Sequence, residues 1–444
     1  MANPSLRANR ALSALAAAAL AGCGGGPSIT ADADVAFVGV SVIPMDSERV
    51  LADQTVLVKG DRIVAVAPSA DVAVPEGATR VDGAGKYLLP GIAEMHGHVF
   101  TTPTITVEIA ETFPELYVLT GVTTVRTMAG TPWQFELKAA IDSGRILGPT
   151  LYTASPSLNG QSVRNAAHGD SLVRAHHAAG YDLLKVHPGL TRASYDAIVA
   201  AAAELGIRVA GHVPADVGIQ RALEAKQGVD HLDGYYIGTG SDDAKMAELA
   251  RFTAAQGVYN APTMDLWKTL LGGYTVEQLR TRPELRYMLP ALVEQWAQQT
   301  TQMVAAANQD PAAAQAEIAA RDRMLVALHA AGAKLMLGSD SPQIFSVPGF
   351  SLVREVKAMV SAGLSPYAVL EAATRNSAAY FGHEAEYGTV ETGKRADLIL
   401  AEGNPLEDIA NLHRQAGVMV RGRWLPKQEI QQRLDAIAAK VGTP

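Results

Sequence analysis

The sequence predicts an α/β protein, a (β/α)8 barrel of the TIM type carrying a small β-sandwich domain built from both chain ends. Three observations predict it. Eight short apolar runs alternate with helical stretches through the middle of the chain, and β-rich pieces stand before and after them. The metal-competent side chains fall at the C-terminal ends of the apolar runs, the face on which such barrels build their sites.

At the N-terminus, residues 1–22 read as a secretory signal. Arg7 and Arg10 precede a short apolar stretch, 11–21, that closes in Leu20-Ala21-Gly22-Cys23. The stretch is about half the ~20 residues a bilayer span needs. Leu-Ala-Gly-Cys resembles the bacterial lipobox, so Cys23, the only cysteine, is expected to be lipidated. Residues 23–33, with Gly24-Gly25-Gly26-Pro27-Ser28, read as a flexible tether. The expected location is the bacterial cell envelope on its periplasmic face, with membrane contact through the lipid anchor alone.

The composite β domain is expected over 34–87 and 385–430. Its first piece holds runs 56–59 and 62–66 joined at Gly60-Asp61, a two-residue hairpin turn in which glycine supplies φ > 0. Its last piece holds 396–400 and 418–421. Neither has enough strands to enclose a core alone. The barrel, 88–384, takes its strands from 88–95, 122–127, 150–154, 182–186, 207–211, 229–232, 258–263 and 334–338. The Ala-rich stretch 195–205 stopped by Gly206 is a connecting helix, and Ser365-Pro366 opens another. The long interval 264–332, broken at Pro283, Pro290 and Pro311, predicts a helical insertion over the barrel mouth.

Apolar residues make up 48% and charged residues 18%, an ordinary globular balance, and the net charge of −8 excludes the basic footprint of a nucleic-acid binder. The chemistry is carried by histidines. His96 and His98, in Glu94-Met95-His96-Gly97-His98, end the first barrel run, and residues two apart on a strand face the same way. Lys185 ends the fourth run, His212 the fifth, His231 the sixth and Asp340 the eighth. Singly each has an ordinary reading: an ion-paired lysine, a hydrogen-bonded histidine, a turn-capping aspartate. Together, on one rim, they predict a metal site.

These residues, with Leu89-Pro90-Gly91-Ile92, Gly121-Val122-Thr123-Thr124-Val125-Arg126, Ala373-Thr374-Arg375-Asn376 and 388–398, resemble the binuclear, metal-dependent branch of the amidohydrolase superfamily. The agreement runs over 35–424, and the imidazolonepropionase-like and Xaa-Pro dipeptidase-like members are nearest in pattern. The resemblance implies one metal on His96, His98 and Asp340 and a second on His212 and His231. Lys185, carboxylated by carbon dioxide, would bridge them with a hydroxide. It implies two divalent ions, zinc by default, a lowered pKa for the bridging water, and Asp340 as proton shuttle. The reaction it implies is hydrolysis of an amide, a small peptide or N-acyl amino acid. A cyclic amide or an ester is the alternative substrate, and a surface lipoprotein that only binds is the non-enzymatic alternative. A homo-oligomer is left open.

Where peptidase-like relatives often have a tyrosine close behind the fifth-strand histidine, this chain reads Val213-Pro214-Ala215. Tyr235 or Tyr236 is the candidate replacement for a carbonyl-polarising hydroxyl. Mononuclear deaminases usually carry a glutamate where Ala215 stands, which disfavours deamination. His168, in Ala166-Ala167-His168-Gly169-Asp170, resembles a substrate-holding element of the dipeptidase-like branch. His187 is expected to point away from Lys185, to the outer face of its strand. His176, His177, His329, His383 and His413 are expected to be surface or core residues.

Overall fold

The computed structural model describes residues 29–442, so the expected signal segment and Cys23 lie outside the described residues. Among the described residues no helix is long and apolar enough to cross a membrane.

Both chain ends meet in one mixed sheet of eight strands, where two packed sheets were expected. Strand Tyr87–Pro90 pairs antiparallel with Leu398–Ala401 and parallel with the end of Val35–Val42, which ties the terminal pieces together. The hairpin of Leu51–Lys59 and Arg62–Pro68 turns at Gly60, φ 55°. Its outer strand curls back onto the other end of the sheet, with Ile63 N donating to Lys394 O at 2.9 Å. Phe37, Val56, Ile63, Leu398 and Met419 therefore share one buried cluster. Curling of one twisted sheet supplies the enclosed core that a sandwich would have supplied.

The apolar run expected as the first barrel strand is divided between the two units. Tyr87–Pro90 belongs to the terminal sheet, and the first parallel strand, β1, is Ile92–Gly97. Gly91 is the hinge: a Cβ there would lie 2.3 Å from the Thr123 Oγ1. The other parallel strands are β2 (Val122–Thr127), β3 (Thr150–Thr153), β4 (Leu183–Val186), β5 (Arg208–Gly211), β6 (Gly228–Asp230), β7 (Tyr259–Ala261) and β8 (Lys334–Leu335).

They form two parallel sheets, β1–β2–β3 and β4 through β8. Backbone hydrogen bonds join the sheets at both edges. At one, Asp182 N reaches Thr153 O (2.9 Å) and Ser155 N reaches Leu183 O (2.8 Å). At the other, Met95 N reaches Leu337 O (2.8 Å) and Asp340 N reaches His96 O (2.7 Å). Side chains alternate as the pleat requires: Leu184 and Val186 join the cluster under helix Arg192–Leu205, while Leu183 packs with Met128, Ala154 and Ala210.

The insertion forms helices Met264–Leu270, Val276–Arg280, Pro290–Ala307 and Pro311–Ala330, the last two opening at the prolines. The first is anchored by Glu355, fully buried on helix Leu352–Ala362, which accepts from Met264 N (2.8 Å) and Asp265 N (2.9 Å). Burial pushes this carboxyl from 4.5 up to about 8, against the pull of the two amides. The folded chain keeps a proton that the unfolded chain releases, so stability falls as pH rises from 4.5 to about 8 and levels off above. Glu355→Gln is expected to make that fall shallower, as read by thermal unfolding of metal-stripped protein across this range. An unchanged slope would mean that Glu355 is ionised in the fold.

Candidate metal centre

Strand ends β1, β5, β6 and the segment after β8 bring His96, His98, His212, His231 and Asp340 to one cavity of 460 Å³. The rings of His96, on β1, and His98, one residue past its end, have centroids 5.4 Å apart, and Gly97 between them leaves no room for a side chain: a Cβ would meet the Tyr117 hydroxyl at 2.6 Å. His231 (φ 63°) and Asp340 (φ 61°) hold left-handed backbone, a conformation costing about 1–3 kcal/mol in non-glycine residues and concentrated at functional sites.

Asp340 is the convergence point. Its Oδ1 lies 2.6 Å from His98 Nε2 and 3.5 Å from His96 Nε2, and its Oδ2 lies 3.7 Å from His231 Nε2. The ligand atoms of His96, His231 and Asp340 fall within 4.8 Å of one another. His212 follows, its ring centroid 4.6 Å from that of His231. Lys185, fully buried, extends to 3.3 Å from His96 Nε2. Burial lowers its pKa, the direction that frees the amine.

Two of the imidazoles are oriented by a hydrogen bond on their other nitrogen, and a third has a carboxylate beside it. His212 Nδ1 bonds Asp233 (2.6 Å), His231 Nδ1 bonds Thr263 Oγ1 (2.9 Å), and His96 Nδ1 lies 3.2 Å from Asp230 Oδ2. The Nε2 atoms are thereby left for the cavity, the arrangement by which metal-binding histidines are held. His231 Nε2 is buried and has no hydrogen-bond partner. A buried polar atom without a partner is costly unless something else meets it, and here a metal ion fits. Burial, with Lys185 alongside, pushes His96 down to about 3, so the ring is neutral and its lone pair free.

Several contributors escape sequence reasoning. His187 lies one residue beyond β4 and two past Lys185, so alternation turns it to the same face as Lys185; it lines the cavity and stacks on His212 at 4.8 Å, which corrects the expectation that it faces outward. Its Nδ1 is paired with Ser157 Oγ at 2.7 Å. Glu94, fully buried and pushed up to about 8 by burial, accepts from His96 N (3.0 Å) and Ser339 N (2.8 Å), fastening β1 to the loop that carries Asp340.

Arg126, buried on β2, donates to Asp230 at 2.7 Å and stacks on Tyr380. Burial alone would raise the Asp230 carboxyl; Arg126, together with His96 and Lys185, outweighs it and holds it well below the usual range. Removing one partner of such a pair costs about 3–5 kcal/mol. Arg126→Met is therefore expected to lower the melting temperature of the apoprotein more than the double replacement Arg126→Met/Asp230→Asn does. Equal losses would show that no buried charge had been exposed.

Other expected residues are placed elsewhere. His168 stands in the first turn of helix Ala166–Ala178, its Nδ1 accepting from Arg164 N, and is not among the residues lining the cavity. Tyr235 is buried with its hydroxyl on Thr253 and Asn260, and Tyr236 packs against the hydrophobic core.

An α/β fold with imidazoles and a carboxylate converging at the strand ends is the construction of a metal-dependent hydrolase. The chain belongs to the amidohydrolase family, whose profile matches residues 87–425. Adenine deaminase 3 of Rhizobium meliloti (strain 1021) is 24% identical over 404 residues, 86% of this chain and 56% of its own length. The chain thus spans about half the length of that relative. Among solved structures, bottromycin amidohydrolase aligns with TM-score 0.72 at 23% identity, covering 92% of this chain and 90% of its own. A Xaa-Pro dipeptidase with bound methionine aligns at 0.69 and 20%, covering 88% and 99%, and molinate hydrolase at 0.66 and 17%, covering 88% and 94%. These likenesses concern the fold.

Proposed function

We propose that the chain is a metal-dependent hydrolase acting on a carbon–nitrogen bond, an amide, in a (β/α)8 barrel of which the two parallel sheets are the arcs. The carrying observation is the convergence of His231 Nε2, buried and unpartnered, with His96, His98 and Asp340. His96, His98 and Asp340, with His212, His231 and a carboxylated Lys185, would hold two divalent ions, zinc by default. Bound there, such ions polarise a carbonyl and lower the pKa of water.

The rest is done by the chain. Asp233 and Thr263 keep His212 and His231 oriented, with the Asp230 carboxylate beside His96. Asp340 takes the proton of the attacking water and passes it to the leaving nitrogen. His187, whose pKa burial pushes down to about 3, remains a neutral ring with Nδ1 on Ser157.

Similarity to adenine deaminases favours one second reading, deamination, in which the leaving nitrogen is ammonia. Ala215, where mononuclear deaminases usually have a glutamate, weighs against it. A screen of the metal-loaded protein over amides, cyclic amides, esters and adenine tests both readings. Amide cleavage is expected; ammonia from adenine without amide cleavage would replace the first reading by the second, and no turnover would contradict both.

A further inference from the structure

The cavity has a second wall, built from different chemistry. Beside the histidines and the two aspartates, the lining consists of Leu266, Trp267, Leu270, Met303, Gln343 and Ile344. The first four come from the insertion helices Met264–Leu270 and Pro290–Ala307. Among the described residues, neither lysine nor arginine lines this space.

The nearby guanidinium is already committed. Arg321 is buried, donates to His231 O (2.8 Å) and is paired with Glu317 (2.7 Å). It covers one face of the Trp267 indole, 3.3 Å from the ring centroid. Trp267 in turn donates from Nε1 to the same His231 carbonyl at 2.6 Å. The indole is thus pinned along its edge and backed on one face, leaving an aromatic surface that is ordered before anything binds, the condition under which aromatic contact is most effective. Arg282 and Arg354 are tied to Asp265, and Arg354 also to Glu284.

We propose that this wall selects a neutral substrate with an aromatic or branched-alkyl group, and disfavours one with a free carboxylate beside the scissile bond, such as a dipeptide. The inference rests on the hydrolase reading above and narrows its substrate class. A carboxylate laid against Leu266, Leu270 and Met303 would lose water and find no cation, whereas an apolar group there is removed from water at no such cost.

The test uses full-length, zinc-loaded protein and three amides. N-propyl-phenylacetamide is a neutral counterpart of phenylacetylglycine, and N-propylacetamide lacks the aryl group. The first is expected to exceed each of the others in kcat/KM by about tenfold or more. Met303→Lys places a cation on a half-exposed position at the rim, where folding should tolerate it. It is expected to move the neutral-over-carboxylate ratio by about tenfold towards the carboxylate.

Faster cleavage of phenylacetylglycine by the unaltered protein would overturn the proposal, as would a ratio that Met303→Lys leaves unmoved. Should none of the three amides be cleaved, the wider screen decides the hydrolase reading by itself. Calorimetric binding of the same three compounds then decides the wall: tighter binding of N-propyl-phenylacetamide supports it, and tighter binding of the carboxylate overturns it.

Discussion

Lys185→Met is expected to abolish turnover while leaving the apoprotein as stable as before, or more so. The side chain is fully buried, and the carboxylate it approaches, Asp230 at 3.8 Å, is already paired with Arg126 at 2.7 Å. As an ammonium it would be a poorly compensated buried charge. Replacing such a group by an apolar side chain of similar length is often neutral or stabilising. As a carboxylated bridge it would be indispensable, because its neighbours are the imidazoles of the metal site. The expected result is loss of most bound metal and a fall in kcat/KM of at least ~10³-fold, which corresponds to about 4 kcal/mol of transition-state stabilisation. A variant that unfolds more readily and keeps its metal would make Lys185 a structural lysine.

Asp340→Asn probes the chemistry more than the assembly. Asparagine keeps the size and one oxygen, so contact with His98 and part of the metal binding should survive. It has no basic oxygen to take a proton from water. General acid–base help of this kind contributes ~10²–10⁴-fold, and kcat is expected to fall by that order with little change in KM. Measuring metal content beside kcat separates the two roles. A variant with its metal and about a tenth or more of the original kcat would remove Asp340 as the proton shuttle.

Much of this site is legible in the sequence because strand ends are marked locally. His96, His98, Lys185, His212, His231 and Asp340 each close an apolar run, and the fold brings five of them to one cavity with Lys185 against His96. What escapes has physical causes. Leu88 to Met95 reads as one apolar run, yet it serves two sheets, because the break at Gly91 is set by close approach to Thr123 and not by hydropathy. His187 is within reach of the same reading, since it stands two residues past Lys185 and shares its face. Arg126 and Asp230 are charged residues that the core accepts only as a pair. Their partnership spans two strands that are distant in the chain. Trp267 and Met303 belong to an insertion whose helices are readable but whose docking is tertiary.

The converging imidazoles, Asp340 and Lys185 are expected to form a metal site on which hydrolysis depends. Elemental analysis of the purified protein, paired with turnover before and after chelation on any amide it cleaves, tests this most directly. About two divalent ions per chain are expected, with loss of turnover as they are removed and recovery when zinc is returned. Undiminished turnover in protein stripped of metal would contradict it.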